Sequence, residues 1–152
     1  MKVKDIMTNN VICVNLDTEI SEIAKILTEK RIHGVPVVKN EKVVGIITET
    51  DFFVGNKHSL YLPSFIEFIK DFKISQKAPL TNKLEFHSIM KSKAEDIMTK
   101  RCVSVDPDME IEDLLHVFKE EGFHTLPVID KEGNLCGIVT LSDIISFINL
   151  QP

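Results

Sequence analysis

The sequence predicts an α+β fold in which two β-α-β-β-α units, related by a pseudo-twofold axis, pack through their sheets into one module with a helical insertion between them. Two observations lead there. The first is an internal repeat. Asp5-Ile6-Met7-Thr8 returns as Asp96-Ile97-Met98-Thr99, and His33, Pro36 and Val37 return at the same spacing as His124, Pro127 and Val128. After a slip of one residue, Gly45-Ile46-Ile47-Thr48 and Asp51 return as Gly137-Ile138-Val139-Thr140 and Asp143. The second is that the apolar period changes from helical to strand-like at matching places in both copies. The repeats occupy residues 1–53 and 94–152, and residues 54–93 have no counterpart in either. Two equivalent clefts follow from such symmetry.

In the first repeat, Val11 to Val14 reads as a short strand, and Ile20, Ile23, Ala24 and Leu27 mark one face of a helix. Gly34 to Val38 and Val43 to Ile47 are β-branched runs joined by Lys39-Asn40-Glu41-Lys42, which predicts a hairpin. Thr48 then opens a second helix. The second repeat reads the same way. Its elements are a strand from Cys102 to Val105, a helix face of Ile111, Leu114, Leu115 and Phe118, strands Thr125 to Ile129 and Leu135 to Val139, and a terminal helix from Leu141. One such unit leaves an apolar sheet face uncovered, so stacking the two makes the core. In the insertion, Pro63 is placed to start a helix with Phe65, Phe68, Ile69 and Phe72 on one face, and a weaker helical pattern runs through Leu84, Ile89 and Met90 towards Ala94.

Bulk properties exclude several classes. With 152 residues, 43% of them hydrophobic, the chain can bury a sizeable core. It has no apolar run of membrane-spanning length and begins Met-Lys-Val-Lys-Asp without a signal-peptide core, so a cytoplasmic protein with no membrane partner is expected. Cys13, Cys102 and Cys136 stand singly in apolar segments, which predicts buried free thiols rather than disulfides or a metal site. A net charge of -5 argues against nucleic-acid binding through a broad basic surface. The charge is uneven, because residues 54–93 carry seven Lys against three acids. That segment also holds five of the ten aromatic residues, too apolar a composition for a flexible tether.

The chemistry concentrates at Gly-Ile-Ile-Thr-Glu-Thr-Asp, residues 45–51, and Gly-Ile-Val-Thr-Leu-Ser-Asp, residues 137–143. In each, a strand delivers a Thr to a helix N-terminus, where orphan N–H groups favour an anion, with an Asp one turn further on. A carboxylate accepts two hydrogen bonds, so it can hold the adjacent hydroxyls of a ribose while the Thr and the helix end face a phosphate. The same Thr-x-x-Asp is also a capping box that stabilises the helix start by about 0.5–2 kcal/mol. Both readings stand on the motif alone; its duplication at equivalent strand ends favours a site.

Asp-Ile-Met-Thr leading into a first strand, His-x-Val/Leu-Pro-Val at the second, and Gly-h-h-Thr-x-x-Asp closing each unit together resemble the tandem cystathionine-β-synthase-type, or CBS, domain pair. The resemblance covers both repeats. It implies a stand-alone regulatory, energy-sensing module that takes AMP, ADP, ATP or S-adenosylmethionine between the repeats and signals to a separate, unidentified protein, with a homodimer as the expected assembly. Carried over position by position, it places Asp51 and Asp143 on ribose hydroxyls. Thr48 and Thr140 fall at the ribose-phosphate end, with Thr50 and Ser142 as helpers. Thr8 and Ile12, and their counterparts Thr99 and Val103, border the adenine, and Pro36 and Pro127 form part of its apolar wall. His33 and His124 fall where some members present a basic side chain to phosphates. Gly34 and Thr125 stand where an Arg would have gripped phosphate, which leaves Arg31, Lys100, Arg101 or the insertion's lysines to meet that charge.

Two other functions compete. An assembly module would keep the fold and bind nothing, with Thr48, Asp51, Thr140 and Asp143 serving only as helix caps. A nucleotide hydrolase using His33 or His124 as a base is disfavoured, because the sequence has no P-loop, no metal-spaced carboxylates and no Ser-His-Asp set. An enzyme is therefore not expected, nor a catalytic cofactor or metal. The insertion's phenylalanines could cover the cleft, fill a dimer interface or pack a satellite core.

Overall fold

The computed structural model describes residues 1–52, 90–100 and 102–149. The expected helix from Pro63, the Leu84 and Ile89 part of the next pattern, Arg101 and the side chain of Thr50 lie outside the described residues. The first repeat supplies β1 (Val14–Asn15), α1 (Ile20–Lys30), β2 (Gly34–Lys39) and β3 (Lys42–Thr48), followed by a 3-10 turn over Glu49–Phe52. The second supplies α2 (Ala94–Ile97), α3 (Ile111–Glu121), β4 (Thr125–Ile129), β5 (Leu135–Thr140) and α4 (Leu141–Asn149). No helix among the described residues is long and apolar enough to cross a membrane.

Hydrophobic spacing accounts for the helices. Ile20, Ile23, Ala24 and Leu27 are all buried on α1, and Ile111, Leu114 and Phe118 on α3. Leu115 corrects the expected face, since it is 42% exposed. It stands on the flank of the stripe, where the first repeat has the smaller Ala24, which is buried. Both helices end in a left-handed residue, Arg31 in α1 and Gly122 in α3, whose N–H closes onto the last turn.

The sheets hold the repeat to the level of single residues. β2 and β3 pair antiparallel with Pro36 opposite Ile46, and β4 and β5 pair with Pro127 opposite Ile138. Each hairpin carries a register shift at the equivalent place, between Val37 and Val38 and between Val128 and Ile129. The one-residue slip lies in the turns. Asn40 and Glu41 make a tight two-residue turn with φ of 50° and 64°, the left-handed pair that such hairpins need. Residues 130–134 form the longer turn, with Gly133 at φ 86° and the Asp130 carboxylate accepting the N–H groups of Glu132 and Asn134. The turns meet where Lys42 Nζ donates to Glu132 O and Asn134 Oδ1.

The leading strands are shorter than predicted. β1 pairs parallel with β2 through Val14 and Asn15 only, and its counterpart shrinks to one bridge between Val105 and Val128. Before β1, Val11 and Ile12 leave the sheet and line a cleft, which is why the apolar run there is not a full strand. The cysteines are free, as expected, but half-buried rather than buried.

Each Asp-Ile-Met-Thr motif packs on the other repeat. Thr8 exchanges backbone hydrogen bonds with Ile138 on β5, and Thr99 does so with Ile46 on β3. Val3 and Lys4 donate to Met109 and Pro107, as Ala94 and Glu95 donate to Thr18 and Leu16. One core therefore gathers Val14, Ile20, Ile23, Leu27, Val35, Val37 and Ile47 with Met90 and Ala94, while the other gathers Val105, Leu114, Phe118, Leu126, Val128, Val139 and Ile144 with Val3. The motif's Met is the wedge: a Cβ on Gly137 would lie 2.7 Å from Met7 Sδ, and one on Gly45 2.7 Å from Met98 Sδ. The exchange ties the two repeats together through both cores.

Candidate functional site

β5 ends at Thr140, and α4 begins at Leu141, so Thr140 stands as the N-cap with Asp143 at the third helical position. The two groups bond reciprocally. Asp143 Oδ2 accepts from Thr140 N at 2.7 Å and Thr140 Oγ1 at 2.8 Å, while Asp143 N donates to Thr140 Oγ1 at 3.3 Å. This is the capping box, formed in full. It occupies only one carboxylate oxygen. Oδ1 of Asp143 has no hydrogen bond among the described residues and can accept further donors.

Around it lies a cleft of about 270 Å³ between the repeats. Six of the expected site residues line it together: Thr8, Ile12, His33, Thr140, Ser142 and Asp143. Ile12, 36% exposed, gives it an apolar wall, and the Thr8 side chain makes no hydrogen bond among the described residues. A second cleft of about 320 Å³ shares His33, Thr125, Thr140 and Ser142 with the first and extends past Thr48, Phe123 and His124 to Leu141 and Ile145. The shared residues come from both repeats and make the two clefts neighbours. Beside them Gly34 meets its own counterpart, buried Thr125: a Cβ on Gly34 would lie 3.3 Å from Thr125 Cγ2 and 3.2 Å from Ile47 O. An Arg at residue 34 would start from that crowded point, which gives a packing reason for the glycine.

The Asp51 end is arranged differently. Asp51 Oδ2 accepts from Thr48 N at 2.8 Å and Thr48 Oγ1 at 3.4 Å, and Oδ1 accepts from Thr99 Oγ1 at 2.9 Å. Both oxygens are engaged. Burial pushes this carboxyl above its ordinary value, and the Thr48 N–H, then the Thr99 and Thr48 hydroxyls, hold it part of the way back. His33 Nδ1 lies 3.0 Å from Glu49 Oε1, a pair that is more than 40% exposed on both sides. Among the described residues His124 has no such acid, and Leu141 stands where the first repeat has Glu49.

The remaining expected residues lie elsewhere. Pro36 and Pro127 are buried in the centres of β2 and β4 and line neither cleft. Val103 is half-buried against the second core. Nearby, burial pushes the Cys102 thiol up to about 11, so it stays protonated at neutral pH. Sequence reasoning did not single out Asn10 or Ile138 in the first cleft, or Phe123 in the second. Ile138 was legible in principle, since it lies two residues before Thr140 on the same strand. Among the described residues, no cluster of three His, Cys, Asp or Glu side chains could hold a metal ion.

Comparison with known proteins gives the same architecture. The family model of the CBS domain matches residues 3–54 and 94–150. The chain is 33% identical to the uncharacterized protein MJ1426 of Methanocaldococcus jannaschii, over 95% of this chain and 89% of that protein. The CBS domain pair of protein MJ0100, solved in complex with 5′-methylthioadenosine and S-adenosyl-L-methionine, superposes with a TM-score of 0.70 at 25% identity, covering 100% of this chain and 98% of that one. CBSX2, solved in complex with AMP, shares the fold with a TM-score of 0.69 at 24% identity, covering 99% of this chain and 98% of that one.

Proposed function

The chain belongs to the CBS domain family, and on that premise we propose that it is a regulatory module that binds an adenosyl ligand between its repeats and relays occupancy to a separate protein. The observation that carries this reading is the free Oδ1 of Asp143, presented in a cleft with Thr8, Thr140 and an apolar wall from Ile12. An acceptor in that position suits vicinal ribose hydroxyls. The apolar wall suits a base, and the start of α4 suits a phosphate. Relatives of the same fold solved with S-adenosyl-L-methionine, 5′-methylthioadenosine or AMP support the ligand class. Binding shifts the module only as far as the ligand favours one arrangement of the repeats over another, about 1–3 kcal/mol in typical cases. Isothermal titration with AMP, ADP, ATP and S-adenosylmethionine tests the reading. Micromolar binding that Asp143→Ala abolishes supports it, and no heat from any of the four removes it.

A second reading is an assembly module. It is favoured by the exposed apolar side of α4, where Ile145 is 53% and Ile148 61% exposed, and by the fully formed Thr140–Asp143 cap, which needs no ligand to explain it. A homodimer through this side is expected to dissociate on Ile148→Glu in sedimentation equilibrium. An unchanged mass would remove that contact.

A further inference from the structure

Arg31 holds a conformation that a long side chain adopts only at a cost. It caps α1 at φ 54°, ψ 43°, in the left-handed region, where the equivalent residue of the second repeat is Gly122 at φ 69°. Gly122 is not there for want of space, since a Cβ at that position would meet nothing within 4 Å. The first repeat therefore carries backbone strain that the second avoids, and strain retained at a cleft points to a use for the side chain. The Arg31 side chain has no hydrogen bond or ion pair among the described residues, and it lines the Asp143 cleft beside His33, Thr140 and Ser142.

We infer that Arg31 is the specificity-determining residue of this cleft, selecting phosphate-bearing adenosyl ligands over neutral or sulfonium-bearing ones. The inference rests on the adenosyl reading above. With the ribose on Asp143, at the third position of α4, the 5′ substituent lies in the same cleft, and Arg31 is the lining side chain with a fixed positive charge. A guanidinium gives a phosphate paired, charge-assisted hydrogen bonds. It gives nothing to the thioether of 5′-methylthioadenosine, and it repels the sulfonium next to the ribose of S-adenosylmethionine, whose carboxylate lies at the far end of the methionyl chain. The Asp51 end has Gly122 in the equivalent place and lacks that cation.

The test is isothermal titration of the whole chain and of Arg31→Gly with AMP, 5′-methylthioadenosine and S-adenosylmethionine, at low and high salt. Glycine is chosen because it relieves the left-handed strain, so a thermal melt that is unchanged or raised shows that the variant folds. The variant is expected to bind AMP about tenfold or more weakly, to bind 5′-methylthioadenosine within about twofold of the parent, and to lose most of the salt dependence of AMP binding. Equal weakening of both ligands, or unchanged AMP affinity, overturns the assignment of Arg31. A parent chain that binds 5′-methylthioadenosine but not AMP overturns it while leaving the adenosyl reading intact. A parent chain that binds none of the three overturns both.

Discussion

The Asp51 and Asp143 ends of the molecule are built on one backbone plan and differ in which side-chain oxygens are left over. Each Asp reaches back to the N–H of a Thr at the end of a strand, and each strand bridges the Thr of an Asp-Ile-Met-Thr motif from the other repeat. From there they diverge. Thr99 turns its hydroxyl onto Asp51, whereas Thr8 leaves Asp143 alone and faces the cleft. Pseudo-symmetry therefore gives the two ends the same backbone, and single side-chain hydrogen bonds decide which carboxylate oxygens stay open; on the proposed adenosyl reading, the Asp143 end is the one that takes the ligand. A cap and a binding site are compatible at Asp143 because a carboxylate has two oxygens; at Asp51 the second oxygen already has a donor.

The sharpest break of that comparison is in binding. Asp143→Ala is expected to weaken AMP by about 100-fold or more, since two hydrogen bonds to a charged acceptor are lost, while Asp51→Ala changes it by less than about threefold. Titration on both variants checks this, and equal losses would mean that the Thr99 bond yields readily to ligand. Thr99→Ala sharpens the same point from the other side. It frees Asp51 Oδ1 and is expected to raise the measured stoichiometry from one ligand towards two.

What the ends share should respond alike. Gly137→Ala and Gly45→Ala push a methyl against a Met sulfur and against the backbone oxygens of Thr8 and Thr99, at 2.9 and 3.0 Å. The sulfur can swing aside, but the bridging backbone cannot. Each substitution is expected to destabilise by about 1–3 kcal/mol, and the two by similar amounts, read from urea unfolding. A large difference would show that the exchanged motifs do not contribute equally. A smaller effect separates the helix ends: Gly122→Ala places a side chain in the left-handed region at a cost of about 1 kcal/mol, while Arg31→Gly moves stability the other way.

The repeat, the helix faces and the hairpins were legible because burial imposes periods of 3.6 and 2 on the sequence, and Ile20, Ile23, Ala24 and Leu27 show it directly. The Thr48–Asp51 and Thr140–Asp143 pairs were legible because a cap needs fixed spacing. The strand length at Val11 was not, since a residue that walls a cleft is as apolar as one that fills a core. Nor was the exchange of the Asp-Ile-Met-Thr motifs between repeats, because a pattern repeated twice does not say which copy it packs on. The split between Asp51 and Asp143 was hidden for a related reason: Thr8 and Thr99 are the same residue at equivalent bridges, and one side-chain hydrogen bond separates them.

The smallest expected effect concerns protons. Burial raises the Asp51 carboxyl above 3.8 in the folded chain, so the folded state holds that proton more tightly than the unfolded one, and the charged form costs stability at neutral pH. As pH falls through the raised value towards the unfolded one, that cost disappears. Asp51→Asn never carries the charge, yet keeps an oxygen to accept from Thr48 or Thr99. The stability of the parent relative to this variant should therefore rise between about pH 7 and about pH 4, read from urea unfolding at each pH. The rise should be modest, because Thr48 and Thr99 favour the ionised form and the group keeps partial access to water. A fall in its place would show that those hydrogen bonds outweigh burial. Asp51 would then be a carboxylate held ionised by its own chain, and Thr99→Ala should abolish most of that fall.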